Sequence, residues 1–415
     1  MTTVGMQFGP YHLRRRLGTG GMASVWTAVD EAGRALVVKR ILPSLAADAE
    51  FVAMFDREAT LSARMRHPNI VRVVDHGDYE GERYLAMEQL HGRDLSTVMS
   101  VLVAGGAPAP GLGAYVGLGV CRALAYVHAL AGDDGAPLHL IHRDVSLSNV
   151  MLGFDGGVKL LDFGVAKALA GERTHRTQAG VLKGKWAYLA PEQVEGGAVD
   201  QRADIFALGI VLWETLTGRR LFKAASGMQT LERVRAAWVL PPSTINPAVP
   251  AALDAIVMKA LAKAPAERWQ SAAAMAAALD KVVATIGFDA AALGMQMALL
   301  FSDDAAAYHR AQPFGAAALE PTDPGTPGEP RGPFEPHDTD ETPPADVAAV
   351  RALAAERLSP AGATLAELRR RRPRRRVWRL LLAAALASLV GGYTGWQIAH
   401  ADGALHAALV RLAAK

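Results

Sequence analysis

The sequence predicts an α+β chain: a small β-rich lobe and a larger helical lobe, then a linker and one hydrophobic helix near the C-terminus. Three observations carry this reading. Residues 11–90 mix short β-branched runs with a single amphipathic helix. Residues 91–285 are mostly helical in periodicity, with short strands and loops near 140–190. Composition changes sharply at Gln312 and changes again before a long uncharged run.

In the first lobe the expected strands are Tyr11–Leu17, Ala23–Val29, Ala35–Ile41, Val71–Tyr79 and Arg83–Glu88, preceded by an extension over residues 1–10. A helix runs from about Glu50 to Arg66 and stops before HPNIV, because Pro68 removes a donor and disfavours helical backbone just before it. The lobes meet near residue 88, and a further apolar helix, Ala290–Phe301, falls in a helical extension over 286–312.

Residues 313–345 are rich in Pro, Gly, Thr and acidic side chains, so they bury too little apolar surface to offset ordering entropy and are expected to be disordered. Residues 346–376 return to helical periodicity and end in an arginine run. Leu380 to Ala399 contains twenty residues without a charge. At about 1.5 Å per residue such a helix spans roughly 30 Å, the thickness of a bilayer core. A single transmembrane helix is therefore expected within 377–399. The arginines before it put residues 1–376 in the cytoplasm and leave a short outer tail over 400–415. Ala383, Ala387, Gly391 and Gly395 recur every four residues, which permits close helix contact and a homodimer.

The formal charge of +3 does not describe a basic domain. Seven of the eight residues Arg369 to Arg376 are arginine, and removing them from the net of +3 leaves −4 for the rest. A nucleic-acid partner is not expected. One cysteine, Cys121, excludes an intramolecular disulfide framework and a cysteine-based zinc site. Its helical, apolar surroundings read as core packing. No secretory signal pattern stands at the N-terminus.

The chemistry begins at LGTGGMASVW, where Gly18, Gly20, Ala23 and Val25 have the spacing of a loop that presents backbone N–H groups to phosphate. A dinucleotide-binding turn would continue directly into a helix. Here a second strand follows instead, then a third ending in Lys39. Further on stand FDREATL, YLAMEQLHGRDL, HRDVSLSN, LLDFGVAK, YLAPE and KAPAERW, in that order.

On these motifs residues 11–285 resemble a eukaryotic-like bacterial Ser/Thr protein kinase catalytic domain, with the two-lobed protein-kinase fold. The resemblance implies ATP and Mg²⁺ as cofactors, with Mn²⁺ an alternative, and proteins as substrates. It implies that Leu17, Gly18, Thr19, Gly20, Gly21 and Val25 cover the nucleotide, and that Lys39, oriented by Glu58, holds its phosphates. Met87, Glu88 and Leu90 would border the adenine, and Asp94 would reach the ribose. Asp144 would accept the proton of the substrate hydroxyl, while Asn149 and Asp162 would hold the metal. Thr174 or Thr177 would be autophosphorylated in the activation segment, with Arg143 a partner for that phosphate. Glu192 and Arg268 would form a structural ion pair.

The chain departs from the family pattern at two places that matter. Ser146 stands where the family's catalytic loop usually carries lysine, and Lys185 stands where a threonine usually precedes the A-P-E motif. The two residue types are present but exchanged. The expectation is that Lys185 supplies the ammonium and Ser146 the positioning hydroxyl. Tyrosine kinases use an arginine two residues after the lysine position, and here that residue is Ser148, which favours Ser/Thr specificity. Ala23 at the third loop glycine adds one methyl and is expected to be tolerated. The competing reading is a pseudokinase scaffold that binds nucleotide or partners without transfer. Lys39, Glu58, Asp144, Asn149 and Asp162 all stand against it.

Overall fold

A computed structural model describes residues 5–162 and 185–311, all within the first of the chain's two compact units, Met1–Thr322. Thr174 and Thr177, the linker, the arginine run, the hydrophobic segment 377–399 and the small residues Ala383, Ala387, Gly391 and Gly395 lie outside the described residues.

The N-terminal lobe is a six-stranded antiparallel sheet in the order β1-β2-β3-β4-β6-β5, formed by β1 (Met6–Phe8), β2 (Tyr11–Thr19), β3 (Ala23–Asp30), β4 (Ala35–Ile41), β5 (Val73–Tyr79) and β6 (Glu82–Glu88). Strand β1 falls in the stretch read from sequence as an extension. It pairs Met6 with Leu13 and Phe8 with Tyr11 across the turn at Gly9. Alternation along the strands separates two faces. Leu36 and Val38 of β4 and Tyr84 and Ala86 of β6 join Phe8, Tyr11 and Leu13 in one cluster. Val37 of β4 and Leu85 and Met87 of β6 join the other, which includes Ala59 and Phe55 of α1 (Ala49–Arg64). Lys39 is opposite Val25 and Leu85 in register, so strand geometry sends it to the α1 side.

Helix α1 starts where Asp48 accepts the N–H groups of Glu50 and Phe51, at 3.0 and 3.4 Å. Its buried residues, Met54, Glu58, Ala59 and Ser62, form one stripe at helical spacing, with Glu58 as the charged member. The helix ends at Arg64, three residues before His67 and four before Pro68.

The second lobe begins with β7 (Gly92–Asp94) and α2 (Leu95–Leu102), followed by α3 (Pro110–His128). Strand β7 pairs with β8 (Val150–Gly153), which pairs with β9 (Val158–Leu160). Then come a short helix α4 (Pro191–Glu195), α5 (Arg202–Thr217), α6 (Gly227–Ala236), α7 (Ala251–Ala260) and α8 (Ala272–Ile286). Helix α3 is long and apolar enough to cross a membrane, but it is a core helix, with Leu112, Val120, Cys121 and Leu124 fully buried. Burial pushes the Cys121 thiol pKa up, as expected of an inert core thiol. Helices α9 (Ala290–Leu300) and α10 (Ser302–Ala311) belong to the same core: Leu293 and Met297 are fully buried and Ala305 nearly so.

Candidate active site

The site lies where the cleft face of the sheet meets the loop before β8. Lys39 Nζ stands 3.2 Å from Glu58 Oε1 and 3.1 Å from Asp162 Oδ1, and so joins α1 to the chain after β9. Its side chain is only 16% exposed. Burial alone would push the ammonium pKa down, but the facing carboxylates of Asp162 and Glu58 outweigh that and raise it. For Glu58 burial is the largest influence and the net direction is upward, although Lys39 opposes it. The trio therefore holds a charged lysine in a partly dry cleft.

Asp144 is buried, and Asn149 secures it: Nδ2 donates to the Asp144 carbonyl at 2.8 Å and to Oδ2 at 2.9 Å. With its nitrogen so engaged, Asn149 has its amide oxygen left for a cation. The supporting frame comes from the start of α5. One oxygen of Asp204 accepts the Arg143 N–H and the other accepts the His142 N–H, both at 2.8 Å; the second also meets His128 Nε2 at 2.9 Å. These bonds hold Arg143 at a φ of 62°, left-handed backbone that a non-glycine residue adopts only under constraint. Asp162 is likewise left-handed, with φ of 42°. Buried His142 uses both ring nitrogens: Nε2 meets the Leu161 carbonyl at 3.1 Å, and Nδ1 accepts the Asp144 N–H at 3.3 Å. Burial depresses the His142 pKa, so the ring is neutral, as that bonding pattern needs.

Lys185 reaches this centre from the far side. Its Nζ forms an ion pair with Asp144 Oδ2, the oxygen that Asn149 also holds. Trp186 anchors it: the ring packs on Gly227 so closely that a Cβ there would lie 1.9 Å from Cζ3. Only glycine fits beneath that ring. Ser146 is buried, but its hydroxyl is 3.2 Å from Ser148 Oγ and makes no bond with the Asp144 carboxylate. Among the described residues Asn149 and Lys185 bond Asp144 Oδ2, while the Ser146 hydroxyl faces Ser148.

The glycine-rich turn is the β2–β3 hairpin, closed by Gly20 N–H to the Ala23 carbonyl at 2.8 Å. A Cβ on Gly18 would meet nothing within 4 Å, and one on Gly20 would meet only the Ala23 carbonyl at 3.7 Å. Among the described residues nothing crowds either glycine, so the loop backbone is open on that side. Thr19 pairs with Ser24 on the hairpin, beside Gly21, and Leu17 stands 48% exposed above the cleft. Val25 is partly buried and Met87 is 8% exposed.

Glu88 binds the Arg72 N–H at 2.8 Å and Lys159 Nζ at 2.6 Å, while its own N–H goes to the Arg72 carbonyl at 2.9 Å. Leu90 follows, partly buried. Asp94 caps α2, accepting the Thr97 N–H at 3.0 Å and the Thr97 hydroxyl at 2.6 Å, so its carboxylate is committed to the helix. Met151, opposite Asp94 and Lys159 in register and on the pocket wall with Glu88 and Leu90, was missed in the sequence; nothing marks a methionine in a strand as a pocket residue. Arg143 makes no ion pair among the described residues. Arg268, wholly buried, grips Glu192 with two bonds of 2.7 Å.

The donor set fits a nucleotide with a divalent cation. Among the described residues no group of three His, Cys, Asp or Glu side chains forms a metal site, so Asn149 and Asp162 would leave the remaining ligands to phosphate and water.

Comparison with known proteins agrees with this geometry. The protein kinase domain family matches residues 11–279. "Tyrosine-protein kinase MasK" of Myxococcus xanthus is 42% identical over 281 residues, covering 66% of this chain and 43% of its own. "Serine/threonine-protein kinase PknB" of Mycobacterium tuberculosis is 37% identical over 287 residues, covering 68% and 44%. The chain spans less than half the length of these curated relatives. Among solved structures, the kinase domain of M. tuberculosis PknI superposes with a TM-score of 0.51 at 29% identity, covering 68% of this chain and 98% of that one. The chain belongs to the protein kinase family.

Proposed function

We propose that the chain is an ATP-dependent serine/threonine protein kinase that moves the γ-phosphoryl group to a protein hydroxyl. The observation that carries this is Lys39, 3.2 Å from Glu58 and 3.1 Å from Asp162, across a cleft from buried Asp144. In this reading Lys39 holds the phosphates, Asp144 accepts the hydroxyl proton as oxygen attacks phosphorus, and ADP leaves with the bridging oxygen. Mg²⁺ on Asn149 and Asp162 would neutralise the phosphates. Lys185, drawn to Asp144 by its charge, supplies the cation beside the transferred group, where the catalytic loop itself offers Ser146. Autophosphorylation of Thr174 or Thr177 would give Arg143 a partner for the phosphate.

The test is incubation of the full chain with γ-labelled ATP and Mg²⁺, followed by acid hydrolysis. Label on phosphoserine and phosphothreonine is expected, with Thr174 or Thr177 among the sites. Label confined to phosphotyrosine would move the chain to the specificity named for MasK, and nucleotide binding without transfer would favour a scaffold.

The uncharged run within 377–399, preceded by seven arginines, supports anchoring in the bacterial cytoplasmic membrane with the kinase domain inside, and its small residues support a homodimer. Cell fractionation checks the anchor: the chain should sediment with membranes and leave them when 377–399 is deleted. Recovery of the intact chain in the soluble fraction contradicts it.

A further inference from the structure

Beside Asp144 lies a second hollow of about 210 Å³, walled by the catalytic loop, the Lys185 segment and the chain after α5. Three cations face it, Lys185, Arg220 and Lys223, against a single carboxylate, Glu214. That carboxylate has no capacity left for a ligand. It is 2% exposed; Oε2 accepts the Tyr188 hydroxyl and Arg220 Nη1, both at 2.8 Å, and Oε1 accepts the Leu221 N–H at 3.0 Å. Arg220 also donates Nη1 to the Tyr188 hydroxyl at 2.5 Å. Its Nε and Nη2 make no bond among the described residues, and its side chain is 44% exposed. Lys223 is exposed and forms no ion pair among the described residues. The hydroxyls of Ser146 and Ser148 complete the wall on the loop side.

A peptide that delivers its hydroxyl to Asp144 must pass a neighbouring side chain over this hollow, since an extended chain rises only about 3.3 Å per residue. A basic side chain entering there meets three like charges and, among the described residues, no carboxylate but the already bonded Glu214. An anionic one meets the open fork of Arg220, the Lys223 ammonium and two hydroxyls. Resting on the kinase reading above, we infer that this hollow is a specificity subsite for an anionic side chain flanking the phosphoacceptor, either a carboxylate or a phosphate already on the substrate.

The experiment uses the full chain with ATP and Mg²⁺ on peptide libraries of randomised flanks around a fixed threonine. Glu, Lys, Ala or phosphoserine is set at each position from three before to three after it. Glu at one position should raise kcat/KM roughly ten-fold over Ala, the effect of one charge-assisted hydrogen bond, and Lys there should lower it. Lys223→Glu should invert that order at the same position, and Lys223→Ala should flatten it. Phosphoserine favoured over Glu assigns the subsite to substrates already phosphorylated, and Glu favoured assigns it to acidic sequences. Phosphorylation indifferent to charge at every position, or an unchanged Glu preference in Lys223→Glu, overturns the subsite and leaves the kinase reading standing. Transfer to no peptide overturns both.

Discussion

Lys185 and Asp144 form the ion pair on which the proposed mechanism turns. An ammonium fixed beside a buried carboxylate tunes the field where phosphoryl charge moves, and such preorganised charge acts mainly on the transition state. Lys185→Ala should therefore lower kcat by about 10²–10³ while the KM for ATP stays within about three-fold. Lys185→Arg should recover part of the loss. Steady-state kinetics on one peptide decide it, and an unaltered kcat would show that the lysine is only a surface neighbour. Most of this residue set was legible from sequence because phosphate chemistry needs particular side chains at nearly fixed spacing, as in Lys39, Asp144, Asn149 and Asp162. The bonding of Ser146 was not, since a hydroxyl with two neighbours in reach is settled only by the loop's conformation. Nor was the Trp186–Gly227 contact, because the two are joined by packing and not by a motif.

At the scale of elements, what the sequence conceals is long-range pairing. Strand β1 is three residues long, too short for its alternation to be seen, and exists because β2 offers an edge. Residues 286–312 read as a helical extension with an apolar helix over 290–301, and α10 within it also braces the segment that joins the lobes. Arg93 pairs with Asp304, a partner 211 residues away. Tyr308 lies with its ring 5.2 Å from His91 and 5.9 Å from Phe154. Burying Leu293 and Met297 contributes about 3–6 kcal/mol at the usual 1.5–3 per side chain. Deleting residues 290–311 should therefore lower the thermal midpoint by at least ~5 °C and weaken nucleotide binding. Differential scanning fluorimetry of the deleted and intact chains checks this, and equal midpoints would make the two helices ornamental.

At the scale of the whole molecule, the catalytic unit is an assembly across a cleft. Lys39 from the sheet meets Glu58 of α1 and Asp162, while Lys185 and Asn149 meet at Asp144 in the loop pinned by Asp204. The fold class was readable from composition and motif order, because strand-rich and helix-rich halves differ in hydrophobic period. The convergence was not, because it depends on how two lobes face one another. Asp144 is the proposed proton acceptor in that cleft. Its most direct test is the rate of phosphoryl transfer from ATP by the Asp144→Asn full chain beside the unaltered one, with thermal midpoints measured in parallel. A fall of roughly 10²–10⁴ in kcat at nearly unchanged stability is the predicted result. A rate within ten-fold of the unaltered chain would contradict it.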